Sequence, residues 1–348
     1  MPHDLKLGFN TGYWSAGPPD GAPEAVAEAD KLGYDSIWTA EAYGSDVLTP
    51  LAWWGAATEN VRLGTAIMQM SARTPAAAAM AAMTMDHLSG GRFILGLGVS
   101  GPQVVEGWYG QPFAKPLART REYVAIVRDI MGRQGRVTAP GPHYPLPLEG
   151  GTGLGKPLKS TLHPVRDEMP IFLAAEGPKN VALAGEICDG WLALFYSPHH
   201  DDFYREALTE GLGREGARRD ADAFEVCATV PLIVHDDVEE AANWLRPMYA
   251  LYFGGMGAKG ANFHNDVPRR MGYEDAAERI QDLYLDGKKD EACAAVPTEL
   301  IEKLALIGSE DKIRSELPAW RESLVTTIMV GGGVQQVRQA AELVLGAP

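Results

Sequence analysis

The 348-residue chain predicts one α/β domain, a closed (β/α)8 or TIM barrel. Three observations carry this reading. Eight short apolar runs alternate with helical segments, the pattern of a parallel sheet with helices outside it. The runs are apolar almost throughout, as strands buried on both faces are. A count of eight, joined by right-handed crossovers, favours a closed barrel over an open sheet.

The elements follow in order. Leu5–Phe9 alternates and reads as a first strand. Pro23–Leu32 is a helix stopped by Gly33. Ser36–Trp38 is the second strand, Pro50–Ala57 a short helix and Val61–Met68 the third strand. Pro75 opens an Ala- and Met-rich helix, Ala76–Leu88, at a position that favours proline. Phe93–Gly98 is the fourth strand and Thr120–Met131 a helix. Ile171–Ala174 is the fifth strand, Pro178–Cys188 a helix, Gly190–Leu194 the sixth strand and His200–Leu212 a helix. Ala223–Val234 contains the seventh strand, followed by the helix Val238–Phe253. Asp311–Arg321 is a helix, Thr327–Val330 the eighth strand and Val334–Leu345 the closing helix. Residues 1–348 thus read as one domain with two insertions. One, near 134–169, is rich in Gly and Pro; the other, near 254–306, is helical and charged.

Composition excludes several classes of function. The formal net charge is −15, from 31 Lys+Arg against 46 Asp+Glu. Phosphate neutralisation needs clustered cations, so nucleic acid is not an expected partner. An anionic membrane surface would repel this chain. No apolar run approaches the length of a spanning helix, and Met1–Asn10 lacks a basic stretch followed by an apolar one. The three cysteines (Cys188, Cys227, Cys293) are scattered and odd in number, which fits a reducing cytoplasm and argues against a zinc ribbon.

Barrel sites lie where the strands end at their C-termini. There the sequence places Asn10-Thr11-Gly12-Tyr13-Trp14, Thr39-Ala40-Glu41, Gly64–Gln69, Gly98-Val99-Ser100-Gly101, Ala174-Ala175-Glu176-Gly177-Pro178, Tyr196-Ser197-Pro198 and Gly331-Gly332-Gly333. Residues as small as Gly98, Ser100 and Gly101 leave room for a flat ring against backbone. The Ala175–Pro178 turn precedes a helix, whose free N–H groups suit a phosphate. Packing and turn formation explain the same glycines equally well.

In combination, three strings resemble the luciferase-like oxidoreductases: Arg62–Ile67, Leu88-Ser89-Gly90-Gly91-Arg92 and Leu95–Gly101. Thr39-Ala40-Glu41, Ala174–Pro178 and Asp189-Gly190-Trp191 fit the same family, in order, over nearly the whole chain. Gly98–Trp108 and Phe253–Gly257 resemble its actinobacterial branch that uses the deazaflavin coenzyme F420. The resemblance implies the same barrel, with the ring near its axis. Ala66 and Ile67, in a bulge that often holds a non-proline cis peptide, would back the ring. Thr39, Gly98, Val99, Ser100 and Gly101 would border it, and Ala174, Ala175, Glu176, Gly177 and Pro178 would hold the phosphate. The chain departs from the sugar-phosphate dehydrogenases of that branch. Ala40-Glu41 stands where they carry an Asp-His pair, and Ser100-Gly101 where they carry a glutamate. Neither their acid/base pair nor their substrate transfers. The same loops depart from the tetrahydromethanopterin reductases.

The resemblance implies hydride transfer between F420 and a small organic substrate, in a cytoplasmic enzyme that forms a homodimer. Glu41, at the mouth, is the candidate catalytic acid or base; the alternative is a helix cap or a partner for Arg73. Tyr13 and Trp14 are candidate pocket walls, or ordinary rim packing. His199-His200-Asp201-Asp202 reads as a helix N-terminus rather than a metal site, and no metal is expected. His87 suits a helix C-terminus, the methionines a core, and Arg119 and Arg121 a solvated helix face. Lys156 and Lys159 are candidates for an anionic cofactor tail. Two further functions stay open: an FMN-dependent monooxygenase of the same fold, and a barrel that binds a cofactor or ligand without turnover.

Overall fold

A computed structural model describes residues 4–347. The ends of the proposed single-domain span, residues 1–3 and 348, lie outside them. Eight parallel strands form a closed barrel: β1 (Lys6–Asn10), β2 (Ser36–Thr39), β3 (Arg62–Thr65), β4 (Phe93–Gly98), β5 (Ile171–Ala174), β6 (Gly190–Leu194), β7 (Glu225–Thr229) and β8 (Thr327–Val330). β1 lies between β2 and β8 (Gly8 opposite Ser36, Phe9 opposite Val330), and β3 pairs with β4 (Leu63 opposite Phe93) to close the ring. The barrel is filled by Trp38, Ile94, Phe172, Leu192, Cys227 and Met329, all buried, so its interior is a packed plug. Ala66, Ile67 and Ala174 pack on that plug.

Several boundaries differ from the sequence reading. The third strand is interrupted: β3 ends at Thr65, the Ala66–Ile67 peptide is cis, and pairing with β4 resumes at Met68–Gln69. At the break, the Thr65 hydroxyl replaces the lost ladder. It accepts from the Gly96 amide (2.9 Å) and donates to the Gly96 carbonyl (2.7 Å). A Cβ on Gly96 would lie 1.8 Å from the Thr65 carbonyl oxygen, so only glycine permits this approach. The seventh run splits after β7. Pro231 has no N–H for the ladder, and Leu232–Val234 leaves the barrel to pair with Leu306–Gly308. The helix expected at Thr120 begins at Pro116, where proline fills its first turn. A short helix, Pro102–Gly107, had no recognised signal.

The two insertions differ in kind. Residues 134–169 carry little regular structure beyond one antiparallel bridge, Ala139 to Leu146. Residues 254–306 hold four helices, including Glu274–Leu285 and Thr298–Leu304, around an apolar cluster that contains Phe253, Ile280, Leu300 and Ile301. This cluster also takes in Phe195, the residue that follows β6, and so sits against one side of the barrel's C-terminal end.

Charge networks tie the opposite end. Arg62 pairs with Asp35 and Glu225, at or next to strand N-termini, and Asp189, just before β6, pairs with Arg128, Arg218 and Arg219 of the surrounding helices and loops. On the outer layer, Glu186 pairs with Arg121 and Arg214, and hydrogen bonding to Arg121, opposed in part by burial, holds its carboxyl down at about 2. Its folded pKa lies below its unfolded value. The pairing therefore contributes stability fully above the ordinary glutamate range and loses it as pH falls toward 2. Glu186→Gln is expected to flatten the decline in denaturation midpoint between about pH 4.5 and 2. A decline as steep as in the parent would contradict the pairing.

Candidate functional site

Small residues do gather where the strands end. Ala66 and Ile67 follow β3, Gly98 ends β4, and Ala174 ends β5. A Cβ on Gly98 would stand 2.8 Å from Ile67 Cδ1 and Cγ1, so Gly98 makes the room that Ile67 fills. Ser100 then adopts a left-handed backbone (φ 59°), and Gly101 precedes the helix Pro102–Gly107. Val99 is half-buried against the outer core. The Thr39 hydroxyl donates to the Val47 carbonyl (2.7 Å), which commits its hydrogen to the loop after β2.

On the β5 side, Gly177 caps the helix Pro178–Ile187, with Pro178 at its first position. The Asn180 and Val181 amides bond back to the Gly177 carbonyl. Among the described residues, the Gly177 and Lys179 amides have no backbone acceptor, which leaves a pair of donors at a helix start. Ala175 is buried, and its carbonyl accepts from the Trp191 indole (2.8 Å).

Glu41 lies at the mouth but is not free. One carboxylate oxygen accepts from Arg73 Nη1 (2.8 Å) and from the Gln69 amide (2.9 Å); the other accepts from Arg73 Nη2 (2.8 Å). Arg73 also pairs with Asp46, and the Gln69 side-chain amide donates to the Glu41 and Ala42 carbonyls. The expectation of a proton-exchanging Glu41 thus meets a buried carboxylate clamped by a guanidinium. The Arg73 pairing weighed against it is the one observed.

Trp14 packs on Trp54 (5.9 Å between ring centroids). Tyr13 keeps about half of its surface open (53%). Its hydroxyl nonetheless faces that of Tyr252, and desolvation raises the pKa of both phenols. Tyr252 belongs to a π-helical turn, Leu251–Gly255, that ends the helix Val238–Ala250. Such turns often mark functional positions. Its ring meets the His264 imidazole edge to face (5.0 Å, 82°), and Phe195 packs on the same imidazole (5.9 Å, 89°). His264 Nδ1 lies 2.7 Å from Glu176 Oε1, with both residues buried. The second oxygen, Glu176 Oε2, is buried without a hydrogen-bond partner among the described residues.

Sequence reasoning placed Glu176 in the β5 turn but missed His264, Tyr252 and Phe195. The one available signal was the Phe253–Gly257 string, which points to the turn but not to its neighbours. Other candidates stay apart from the mouth cluster. Arg119 lies over the Tyr144 ring, Arg121 pairs with Glu186, and Lys156 and Lys159 are exposed. Asp201 and Asp202 open a helix, and no cluster of metal ligands occurs among the described residues. No helix among them is long and apolar enough to cross a membrane.

A family model described as luciferase-like monooxygenase matches residues 7–327. A Mycobacterium tuberculosis protein, whose name proposes a coenzyme F420-dependent oxidoreductase, is 55% identical over 99% of this chain and 100% of its own length. The coenzyme F420-dependent tetrahydromethanopterin reductase of Methanopyrus kandleri superposes with a TM-score of 0.80 at 21% identity, covering 99% of both chains. An F420-dependent secondary alcohol dehydrogenase, in complex with an F420–acetone adduct, gives 0.76 at 18% identity, over 99% of this chain and 100% of its own. The last two likenesses establish the barrel. With the interrupted third strand, the small residues at the strand ends and the family match over residues 7–327, the chain is a member of the luciferase-like monooxygenase family.

Proposed function

We propose that the chain is an F420-dependent oxidoreductase that moves a hydride between the deazaflavin and a small organic substrate. The observation that carries this is the 55% identity, end to end, with a protein whose name proposes that activity. The site fits a flat, phosphate-bearing cofactor. Ala66, Ile67 and Ala174 pack on the plug at the strand ends, and the free amides at Gly177 and Lys179 suit an anion. The buried, unpartnered Glu176 Oε2 offers an acceptor to an N–H or O–H group.

In this reading Ala66 and Ile67 back the ring, and Thr39, Gly98, Val99, Ser100 and Gly101 border it. Ala174, Ala175, Glu176, Gly177 and Pro178 hold the ribityl phosphate end. When bound, F420 supplies a carbon centre that carries two electrons as hydride. The chain's residues orient it and exclude water. Tyr13 and Tyr252 form the outer wall of the substrate pocket. Glu41 is a positioning residue: with Arg73 and Gln69 it fixes the segment that follows the cis peptide.

The family model's description favours a second reading, an FMN-dependent monooxygenase. Anaerobic incubation with reduced F420 and a panel of aldehydes, ketones and imines separates the two. Hydride transfer is expected to restore the absorbance of oxidised F420 without oxygen. Turnover that requires FMN, a reductase and oxygen would overturn the F420 assignment.

A further inference from the structure

We infer that His264, delivered by the second insertion and oriented by Glu176, is the group that exchanges the substrate's proton; this rests on the hydride-transfer reading. The inference starts from topology. Glu176 follows β5, Phe195 follows β6, and Tyr13 follows β1. In the strand order, β1 stands across the barrel from β5. The succession Glu176, His264, Tyr252, Tyr13 therefore spans the mouth: an N···O contact at 2.7 Å, an edge-to-face ring contact at 5.0 Å and two facing phenols. Glu41 is clamped by Arg73, Tyr109 is tied to the Ala42 carbonyl and Tyr43 is exposed, which leaves this succession as the route for a proton.

The imidazole is set up for the task. Glu176 Oε1 stands 2.7 Å from Nδ1 but off hydrogen-bond alignment; the contact with a carboxylate favours hydrogen on that nitrogen, which leaves Nε2 for exchange. Among the described residues, Nε2 has no protein partner, and it is not among the buried atoms that lack one. The ring is fixed by Phe195, Tyr252 and Phe263. The His264 amide donates to the Asn262 side chain, which in turn donates to the Tyr252 and Phe253 carbonyls. The insertion thus locks the histidine to the π-helical turn. Glu176, Tyr252 and Tyr13 are the titratable groups facing it. Arg270 lies beyond, beside the Glu176 carbonyl (3.5 Å) and Tyr204.

The step balances for a substrate with a C=O or C=N bond. The carbon gains a hydride, the π pair moves to the heteroatom, and the heteroatom takes a proton from Nε2 of the His264 imidazolium, which is left as the neutral ring with hydrogen on Nδ1. The substrate is reduced by two electrons and the cofactor oxidised by two. In the reverse direction, Nε2 takes the proton of an alcohol or amine.

The test uses the full chain with 15N-labelled imidazoles. In the protein alone, the His264 resonances are expected to place hydrogen on Nδ1, and Glu176→Gln is expected to remove that preference. Oxidised F420, its binding followed separately by absorbance, should shift Nε2 more than Nδ1. With any panel substrate that turns over, His264→Gln should lower kcat/KM by about 10²–10⁴ and remove one limb of its pH profile. F420 affinity should stay within threefold. Should no substrate turn over, the nitrogen shifts decide. Failure of F420 to bind overturns the functional reading and this inference with it. Binding that leaves Nε2 unmoved, or a His264→Gln enzyme that keeps its pH profile, overturns this inference alone.

Discussion

Arg73→Ala is expected to destabilise the protein by about 3–5 kcal/mol, because it leaves a buried carboxylate without its counter-charge. Glu41 is buried, and Arg73 supplies two of its three hydrogen bonds. Only the Gln69 amide would remain. The pair also links the loop after β2 to the segment after the cis peptide, so its loss should loosen the wall of the cofactor site. Glu41→Gln separates a strut from an acid or base. As a strut, the variant loses denaturation midpoint while turnover keeps its pH profile. If Glu41 also exchanged protons, a limb of the profile would vanish along with the lost midpoint. The double variant Arg73→Met with Glu41→Leu should recover much of the stability, since replacing both partners of a buried pair often costs little.

Gly98→Val is expected to lower F420-dependent turnover about 100-fold while the barrel stays folded. A Cβ at 98 meets the Ile67 side chain at 2.8 Å, not backbone. The side chain can move, and it moves into the space assigned to the ring. Displacements near 1 Å at a positioned group cost about that factor. Gly107→Ala is the matched control, since nothing stands within 4 Å of its added Cβ. Unaltered turnover in Gly98→Val would remove Ile67 from the site.

The fold was legible because the strands carry their own signal. Runs such as Phe93–Leu97 are apolar on both faces, and helix starts are marked by proline, as at Pro75 and Pro178. What periodicity could not give was interruption. Val61–Met68 is apolar throughout, so nothing in it announces the break at Ala66–Ile67; only the resemblance did. The division of Ala223–Val234 is marked by Pro231, which has no N–H for the ladder. Within the site, small residues at strand ends were readable, because position along a strand sets their place at the mouth. Side-chain partners were not. Glu41 is equally placed for a clamp or for proton exchange, and only the geometry of Arg73 decides. His264 lies 88 residues from Glu176, inside an insertion whose helices follow their own core. No local pattern marks a histidine that packs across to another loop.

The central claim, a deazaflavin site, is tested most directly by titrating the purified protein with oxidised F420 and with FMN in parallel, at equal ionic strength. A dissociation constant in the micromolar range or below for F420, with FMN bound far more weakly, is the expected result. Tight FMN binding with little affinity for F420 would contradict it and make oxygen consumption the activity to measure.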